Sequence, residues 1–288
     1  MLLNMPRGTA RLSNIGQVVF NGLDWIMTIK SDLPDIIAHR GNAGEFPENT
    51  LESLQSAVEF GLRHVEFDVQ LTQDKVPVLF HDSDLVRVGN RSESIHDLSW
   101  PQLSEMPVGE VKRLGRRHAF TYPPSLAQTV DALSGWPEVT AFVEIKRASL
   151  RKFGRETVLR RVADTLKPIL NRCVLISFDL PSIQILRAMT RARIGWVLEN
   201  YDETARSAAG KLAPEFLFCN LERVPGEATE LWEGPWDWAL YEVRDIKTAR
   251  ACAAMGARFV ETMAVRGLLT AYRSESNAWG GAPRAKAV

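Results

Sequence analysis

A chain of 288 residues is long enough for one large α/β barrel or for two ordinary domains. With 45% apolar and 24% charged residues it has the composition of a folded globular protein, which excludes a wholly disordered one. Its 35 basic and 35 acidic residues cancel. That balance lacks the basic footprint of a nucleic-acid binder, so any phosphate must be held locally.

Residues 1–34 read as an N-terminal extension, helical because Leu12, Ile15, Val19, Leu23 and Ile26 recur at roughly helical spacing. Such a stripe would pack on a barrel's floor or side. A helix lying on a membrane surface is the alternative, which the scarcity of Lys and Arg on the polar face disfavours. Gln17, Asn21 and Asp24 interrupt the apolar core a signal peptide needs, and no uninterrupted apolar run reaches transmembrane length. Cys173, Cys219 and Cys252 are odd in number, far apart and in no C-x-x-C pair, so neither a disulfide framework nor a zinc site is indicated. These features predict a cytoplasmic location.

From residue 35 short β-branched runs alternate with amphipathic stretches, the pattern of βαβ units on a parallel sheet. Strands are predicted at Asp35–His39, His64–Leu71, Thr140–Ile145, Arg172–Phe178, Arg193–Leu198, Glu215–Cys219, Trp238–Val243 and Arg258–Thr262. Helices are predicted near 49–60, 125–135, 155–169, 181–190, 202–211, 225–233, 246–255 and 266–273. Eight such repeats predict an α/β fold, a (β/α)8 TIM barrel over 35–288. Asn49 is the expected cap of the first helix, with Glu52 reaching back as in a capping box. Pro181 and Pro225 fall where first helical turns should be.

One segment breaks the alternation. Residues 76–81 follow the second strand after only Thr72-Gln73-Asp74-Lys75, a link that permits a β-hairpin but no parallel crossover. A turn centred near residues 73 and 74 would set His81 opposite Glu66. Residues 82–122 hold no clear β/α unit and are read as an insertion over the barrel mouth.

The second strand reads Val65-Glu66-Phe67-Asp68-Val69, so the two-residue period puts both acids on one face. Carboxylates inside a barrel are costly unless paired or liganded. Glu144 and Lys146 share a face of the next parallel strand, adding a third carboxylate. His39-Arg40-Gly41 ends the first strand at the carboxyl rim, where barrel active sites lie. Three carboxylates against Arg40 and Lys146 leave one negative charge, a phosphodiester adds another, and one divalent cation brings the sum to zero. Oxygen ligands without cysteine suit Mg²⁺ or Ca²⁺.

The runs Ala38-His39-Arg40-Gly41, Pro47-Glu48-Asn49-Thr50, Glu66-Phe67-Asp68-Val69, Phe80-His81-Asp82 and Glu144-Ile145-Lys146 resemble, in order and spacing, the signature motifs of the glycerophosphodiester phosphodiesterase family. The resemblance implies that His39 and His81 are the general acid and base. It implies that Glu66, Asp68 and Glu144 hold the metal and that Arg40 and Lys146 contact phosphate. It further implies hydrolysis of a small-molecule glycerophosphodiester to glycerol 3-phosphate and an alcohol. Phe178 and Tyr241 are candidates to line the alcohol, and Glu48 either orients Arg40 or favours the helix start. Tyr241-Glu242-Val243-Arg244 and Glu261-Thr262-Met263 depart from the family pattern, which bears on the leaving group. The turn Asp74-Lys75 lacks the family's glycine.

Two competing readings use the same barrel. One is a lysophospholipase D or sphingomyelinase-like phosphodiesterase acting on acylated substrates. The other is a catalytically silent barrel that binds a phosphorylated ligand, against which the presence of both histidines and all three acids argues. His64, His96 and His118 are read as structural, and Trp136, Trp232, Trp236 and Trp238 as packing residues.

Overall fold

The computed structural model describes residues 33–280, with side chains through residue 275. The helical stripe expected from Leu12 to Ile26 in the N-terminal extension lies outside these residues. Eight parallel strands close a barrel: β1 (Asp35–Ala38), β2 (His64–Leu71), β4 (Thr140–Ile145), β5 (Cys173–Ser177), β6 (Arg193–Val197), β7 (Phe216–Asn220), β8 (Asp237–Tyr241) and β9 (Phe259–Thr262). β1 pairs with β9 on one side and with β2, through Ala38 and Val65, on the other. The remaining strand, β3 (Pro77–Leu79), runs antiparallel on β2, as the short link requires. The predicted (β/α)8 barrel is therefore the fold, its strands displaced from the sequence reading by no more than two residues.

Strand alternation sorts the core into two layers. Ile37, Phe142, Val174, Ile176, Val197, Phe216, Phe218, Ala239 and Phe259 point inward and fill the lumen. Their neighbours, among them Ala38, Val65, Phe67, Val143 and Leu175, point outward against the helices. The Phe142 ring meets Phe216 at 5.2 Å and Phe218 at 5.5 Å, and His64 meets Phe259 at 5.2 Å, all edge to face. This aromatic plug closes the floor. Two residues further along β4, about 6.6 Å, Glu144 opens the polar rim.

Helices Leu51–Glu59, Leu126–Ser134, Arg155–Leu166, Leu180–Met189, Glu203–Leu212, Ile246–Ala254 and Val265–Gly280 surround the barrel, and none among the described residues is long and apolar enough to cross a membrane. Pro181 occupies the first turn of its helix as expected. The helix expected at 225–233 does not form. Pro225-Gly226 and Gly234-Pro235 leave too few residues between breakers to repay nucleation. The chain there is anchored by Trp232, which stacks on Tyr201 at 4.0 Å and accepts a hydrogen bond from Trp238 Nε1.

Two local expectations also shift by one residue. The first helix is capped by Thr50, whose hydroxyl accepts from Ser53 N while Ser53 closes the capping box; Asn49 and Glu52 do not. Asn49 is turned away by a left-handed backbone, φ 56°. In the hairpin Val69 faces Leu79, and the turn closes from Thr72 N to Val76 O with Lys75 at φ 61°. That register would set residue 81 opposite Phe67, not Glu66, and pairing has already ended at Leu79. The insertion, residues 82–122, consists of short helical turns around its own small core of Val78, Phe80, Leu85, Val88, Ile95, Leu103 and Val108.

Candidate active site

The rim is organised by the turn after β1. Arg40 and Gly41 both have positive φ, 56° and 78°, which reverses the chain and aims Arg40 N at Glu66 Oε2, 2.9 Å away. A Cβ on Gly41 would lie 2.5 Å from Ser53 Oγ and 2.8 Å from Leu54 N, so only glycine lets the turn lie against the helix Leu51–Glu59. The Arg40 guanidinium donates to both Glu48 oxygens, at 3.0 and 3.1 Å, and its Nε sits 3.2 Å from Asp68 Oδ2. Glu48 thus orients Arg40, the first of the two roles open to it in the sequence.

Glu66 and Asp68 project from β2 into the lumen, and Asp68 is in register with Glu144 on β4. Each of the three offers an oxygen within 4.8 Å of the other two. Lys146, just past β4, places Nζ 3.0 Å from Asp68 Oδ1 and 2.8 Å from Glu144 Oε1. Burial pushes the Asp68 carboxyl up, but Lys146 and Arg40 overcome it and hold the group far below the usual carboxylate range. Glu66 goes the opposite way. Burial, then the charges of Asp68 and Glu261, raise it well above its ordinary value. Its Oε1 is buried without any hydrogen-bond partner.

The two histidines differ in setting. His39 is inside the rim, its Nε2 3.9 Å from both Glu66 Oε2 and Glu261 Oε1. Burial, reinforced by Arg40, lowers its pKa to about 3 and keeps the ring neutral. His81 is more exposed, and its Nδ1 lies 2.7 Å from Asp82 Oδ1. Arg87 then links the insertion back to the rim, donating from Nε to Asp82 at 2.8 Å and from its two terminal nitrogens to Glu48 at 2.7 and 2.6 Å. A continuous charged chain therefore runs His81, Asp82, Arg87, Glu48, Arg40, Asp68. The hydrogen bond with His81, aided by Arg87, keeps the Asp82 carboxyl well below its ordinary value.

His39, His81, Arg40, Glu144, Lys146, Phe178 and Tyr241 line one cavity of about 120 Å³ above the plug. The candidate set is brought together, with Glu66 and Asp68 beneath it. The structure adds residues whose roles the sequence did not disclose. Asn49 donates to Asp68 Oδ2 at 2.8 Å and accepts from Asp68 N at 2.9 Å. Gln70, wholly buried, clamps the carbonyls of His81 and Asp82 at 2.9 and 2.6 Å. Asp82 and Arg87 orient His81, and Glu261 from β9 is buried in the cavity wall. An inward polar residue at position 70, two after Asp68 on the same face, was the available signal for Gln70. Arg244 is exposed and pairs with Glu242, while Met263 contributes its carbonyl to Gly44 N. His96 bonds Gln70 and Ser149, His118 lies against Glu52 and Phe46, and His64 belongs to the floor, all structural settings.

The residues present fit a divalent cation. An unpartnered Glu66 oxygen, three converging carboxylates and the absence of sulfur ligands make a hard-cation donor set.

A model of the glycerophosphoryl diester phosphodiesterase family matches residues 39–219. Glycerophosphodiester phosphodiesterase 1 of Rattus norvegicus is 34% identical over 99 residues, 34% of this chain and 30% of its own length. The Bos taurus protein of that name is 28% identical over 152 residues, covering 53% and 44%. The glycerophosphodiester phosphodiesterase of Caldanaerobacter subterraneus subsp. tengcongensis is 28% identical over 154 residues, covering 54% and 62%. The chain thus spans less than two thirds of these relatives. Among solved structures, an Oleispira antarctica phosphodiesterase in complex with the product sn-glycerol-3-phosphate superposes with a TM-score of 0.72 at 21% identity, covering 85% of this chain and 98% of that one. A Thermotoga maritima glycerophosphodiester phosphodiesterase gives 0.63 at 22%, covering 81% and 95%. At such identities the likeness speaks to fold alone.

Proposed function

Because this chain belongs to the glycerophosphoryl diester phosphodiesterase family, we propose that it hydrolyses glycerophosphodiesters to glycerol 3-phosphate and an alcohol, using one divalent cation and two histidines. The observation that carries this reading is the convergence of Glu66, Asp68 and Glu144 within 4.8 Å, beside Arg40 and Lys146 and under both histidines.

Glu66, Asp68 and Glu144 would hold the cation, Mg²⁺ or Ca²⁺, which supplies positive charge to the phosphoryl oxygens. Arg40 and Lys146 stand at the same cavity and present further fixed cationic donors to those oxygens. Glu48 and Asn49 keep Arg40 and Asp68 in place, so little reorganisation is needed when the phosphate arrives. His39, held neutral, accepts at a ring nitrogen the proton of a neighbouring glycerol hydroxyl as its oxygen attacks phosphorus, giving a cyclic phosphate that water then opens to glycerol 3-phosphate. His81, with Nδ1 engaged by Asp82, presents Nε2 and delivers a proton to the leaving alkoxide. The aromatic floor excludes water from below, and Phe178 and Tyr241 flank the alcohol. A cavity of about 120 Å³ suits a small polar diester better than an acylated one.

The test is turnover of glycerophosphocholine and of its acylated counterpart, with and without chelator. Loss of activity on chelation, restored by Mg²⁺ or Ca²⁺, and a fall of about 10²-fold or more in His39→Ala and in His81→Ala are expected. Full activity after exhaustive chelation would overturn the cation assignment. Preference for the acylated substrate would overturn the substrate class.

A further inference from the structure

The acids of the rim outnumber the groups that balance them. The three-carboxylate set already reaches neutrality with Arg40, Lys146, a phosphodiester and one divalent cation, and Glu261 is a fourth carboxylate, 4% exposed. Among the described residues no Lys or Arg pairs with it; its basic contact is His39 Nε2 at 3.9 Å. A bare carboxylate in this position is costly, so a proton or a cation must accompany it.

The geometry indicates which cation could. His39, Glu66 and Glu261 each offer an atom within 4.8 Å of the other two, and this triad overlaps the first through Glu66. Glu66 has an oxygen to give, since Oε1 is buried and unpartnered. The chemistry of the two triads differs. The first is all oxygen and suits a hard ion, whereas the second brings an imidazole nitrogen with two carboxylates, a set that favours Zn²⁺ and its neighbours over Mg²⁺ or Ca²⁺. The 3.9 Å separations from His39 Nε2 to Glu66 Oε2, the oxygen that also accepts from Arg40 N, and to Glu261 Oε1 exceed by about 0.5 Å the ~3.4 Å edge of a tetrahedron with zinc-like bond lengths. Small side-chain rotations would close that gap.

We propose that His39, Glu66 and Glu261 form a second, transition-metal position whose occupation by Zn²⁺ arrests turnover by engaging the His39 nitrogen that would otherwise accept a proton. The arrest rests on the function proposed above, whereas the ion position itself does not. Glu66 becomes a bridge between a hard ion and a soft one, and Glu261 sets the affinity of the soft position alone.

The experiment uses the whole protein saturated with Ca²⁺. Co²⁺ is titrated by visible absorption as the probe of nitrogen-containing ligation, and Zn²⁺ by inhibition of glycerophosphocholine turnover. Wild type should take up one equivalent of Co²⁺ without releasing Ca²⁺ and should be inhibited by Zn²⁺. Glu261→Gln, whose folding is checked by melting in chelator, should need at least about tenfold more Zn²⁺ for half-inhibition and show a weakened Co²⁺ band. Glu261→Asp, which withdraws the carboxylate by one methylene, should fall between. Equal Zn²⁺ sensitivity in wild type and Glu261→Gln, or Co²⁺ uptake that expels Ca²⁺ one for one, would overturn the proposal. If wild type bound neither Ca²⁺ nor Mg²⁺, the proposed function would fail, and Co²⁺ uptake would still report on the second position.

Discussion

The buried acids should make the cation-free protein less stable as pH rises through neutrality, and Glu261→Gln should remove much of that loss. Burial, then the charges of Glu144 and Asp68, lift the Glu261 pKa from 4.5 to about 8. Between those values the folded protein holds a proton that the unfolded chain has released. The contribution is therefore fully present below pH 4.5 and disappears as pH climbs through 8. His39 acts oppositely: its pKa is 6.5 when free and about 3 when folded, so its contribution is present above 6.5 and lost on acidification. The two slopes offset each other between 4.5 and 6.5, leaving 6.5 to 8 as the window in which Glu261 dominates. Over those 1.5 pH units, at ~1.36 kcal/mol per unit, the loss is about 2 kcal/mol, and Glu66 adds to it in the same direction. For a chain of this size that is roughly a 4 °C fall in Tm. Thermal melts in excess chelator at pH 6.5 and 8 measure it for wild type and Glu261→Gln. Parallel curves for the two proteins, or a wild type whose Tm is flat across the window, would refute the electrostatic argument.

Asn49→Gly keeps the left-handed backbone at that position but removes both hydrogen bonds to Asp68, so calorimetry should find cation affinity weakened about 10- to 100-fold. Asp82→Asn deprives the His81 ring of its charged partner and should lower kcat at least about tenfold while KM changes little. An unchanged kcat would show that Asp82 does not orient His81 for turnover. Gly41→Ala adds a Cβ 2.5 Å from Ser53 Oγ at a φ of 78°, so its melting temperature should drop by several degrees or the protein should fail to accumulate.

The barrel was legible because its signal is periodic. Two-residue alternation in Val65-Glu66-Phe67-Asp68-Val69 gave face as well as strand, and the brevity of residues 72–75 compelled an antiparallel return. What escaped depends on geometry that no period encodes. Asn49 looks like a helix cap by type, yet its positive φ hands that task to Thr50 and frees its amide for Asp68. Lys75 takes the left-handed conformation a glycine customarily supplies, and the turn closes between Thr72 and Val76, one residue longer than expected, which moves His81 off the expected register. The segment from Pro225 to Pro235 has helical composition, but the breakers at its ends leave too few residues to repay nucleation, and Trp232 packs on Tyr201 instead. The partnerships of Arg87 with Glu48 and Asp82 join residues up to 39 positions apart and are a product of the folded insertion, invisible beforehand.

The charged chain from His81 to Asp68 has its halves on different parts of the polypeptide: Asp82 and Arg87 belong to the insertion, Glu48 and Arg40 to the loop above β1. Neither half is complete alone. Trimming residues 82–122 to a bare turn would therefore remove Asp82 and Arg87 together with most of the small core that seats them, and leave an intact cylinder with an unoriented His81. Conversely, changes confined to that segment offer a route to retune His81 while every strand of the scaffold stays as it is.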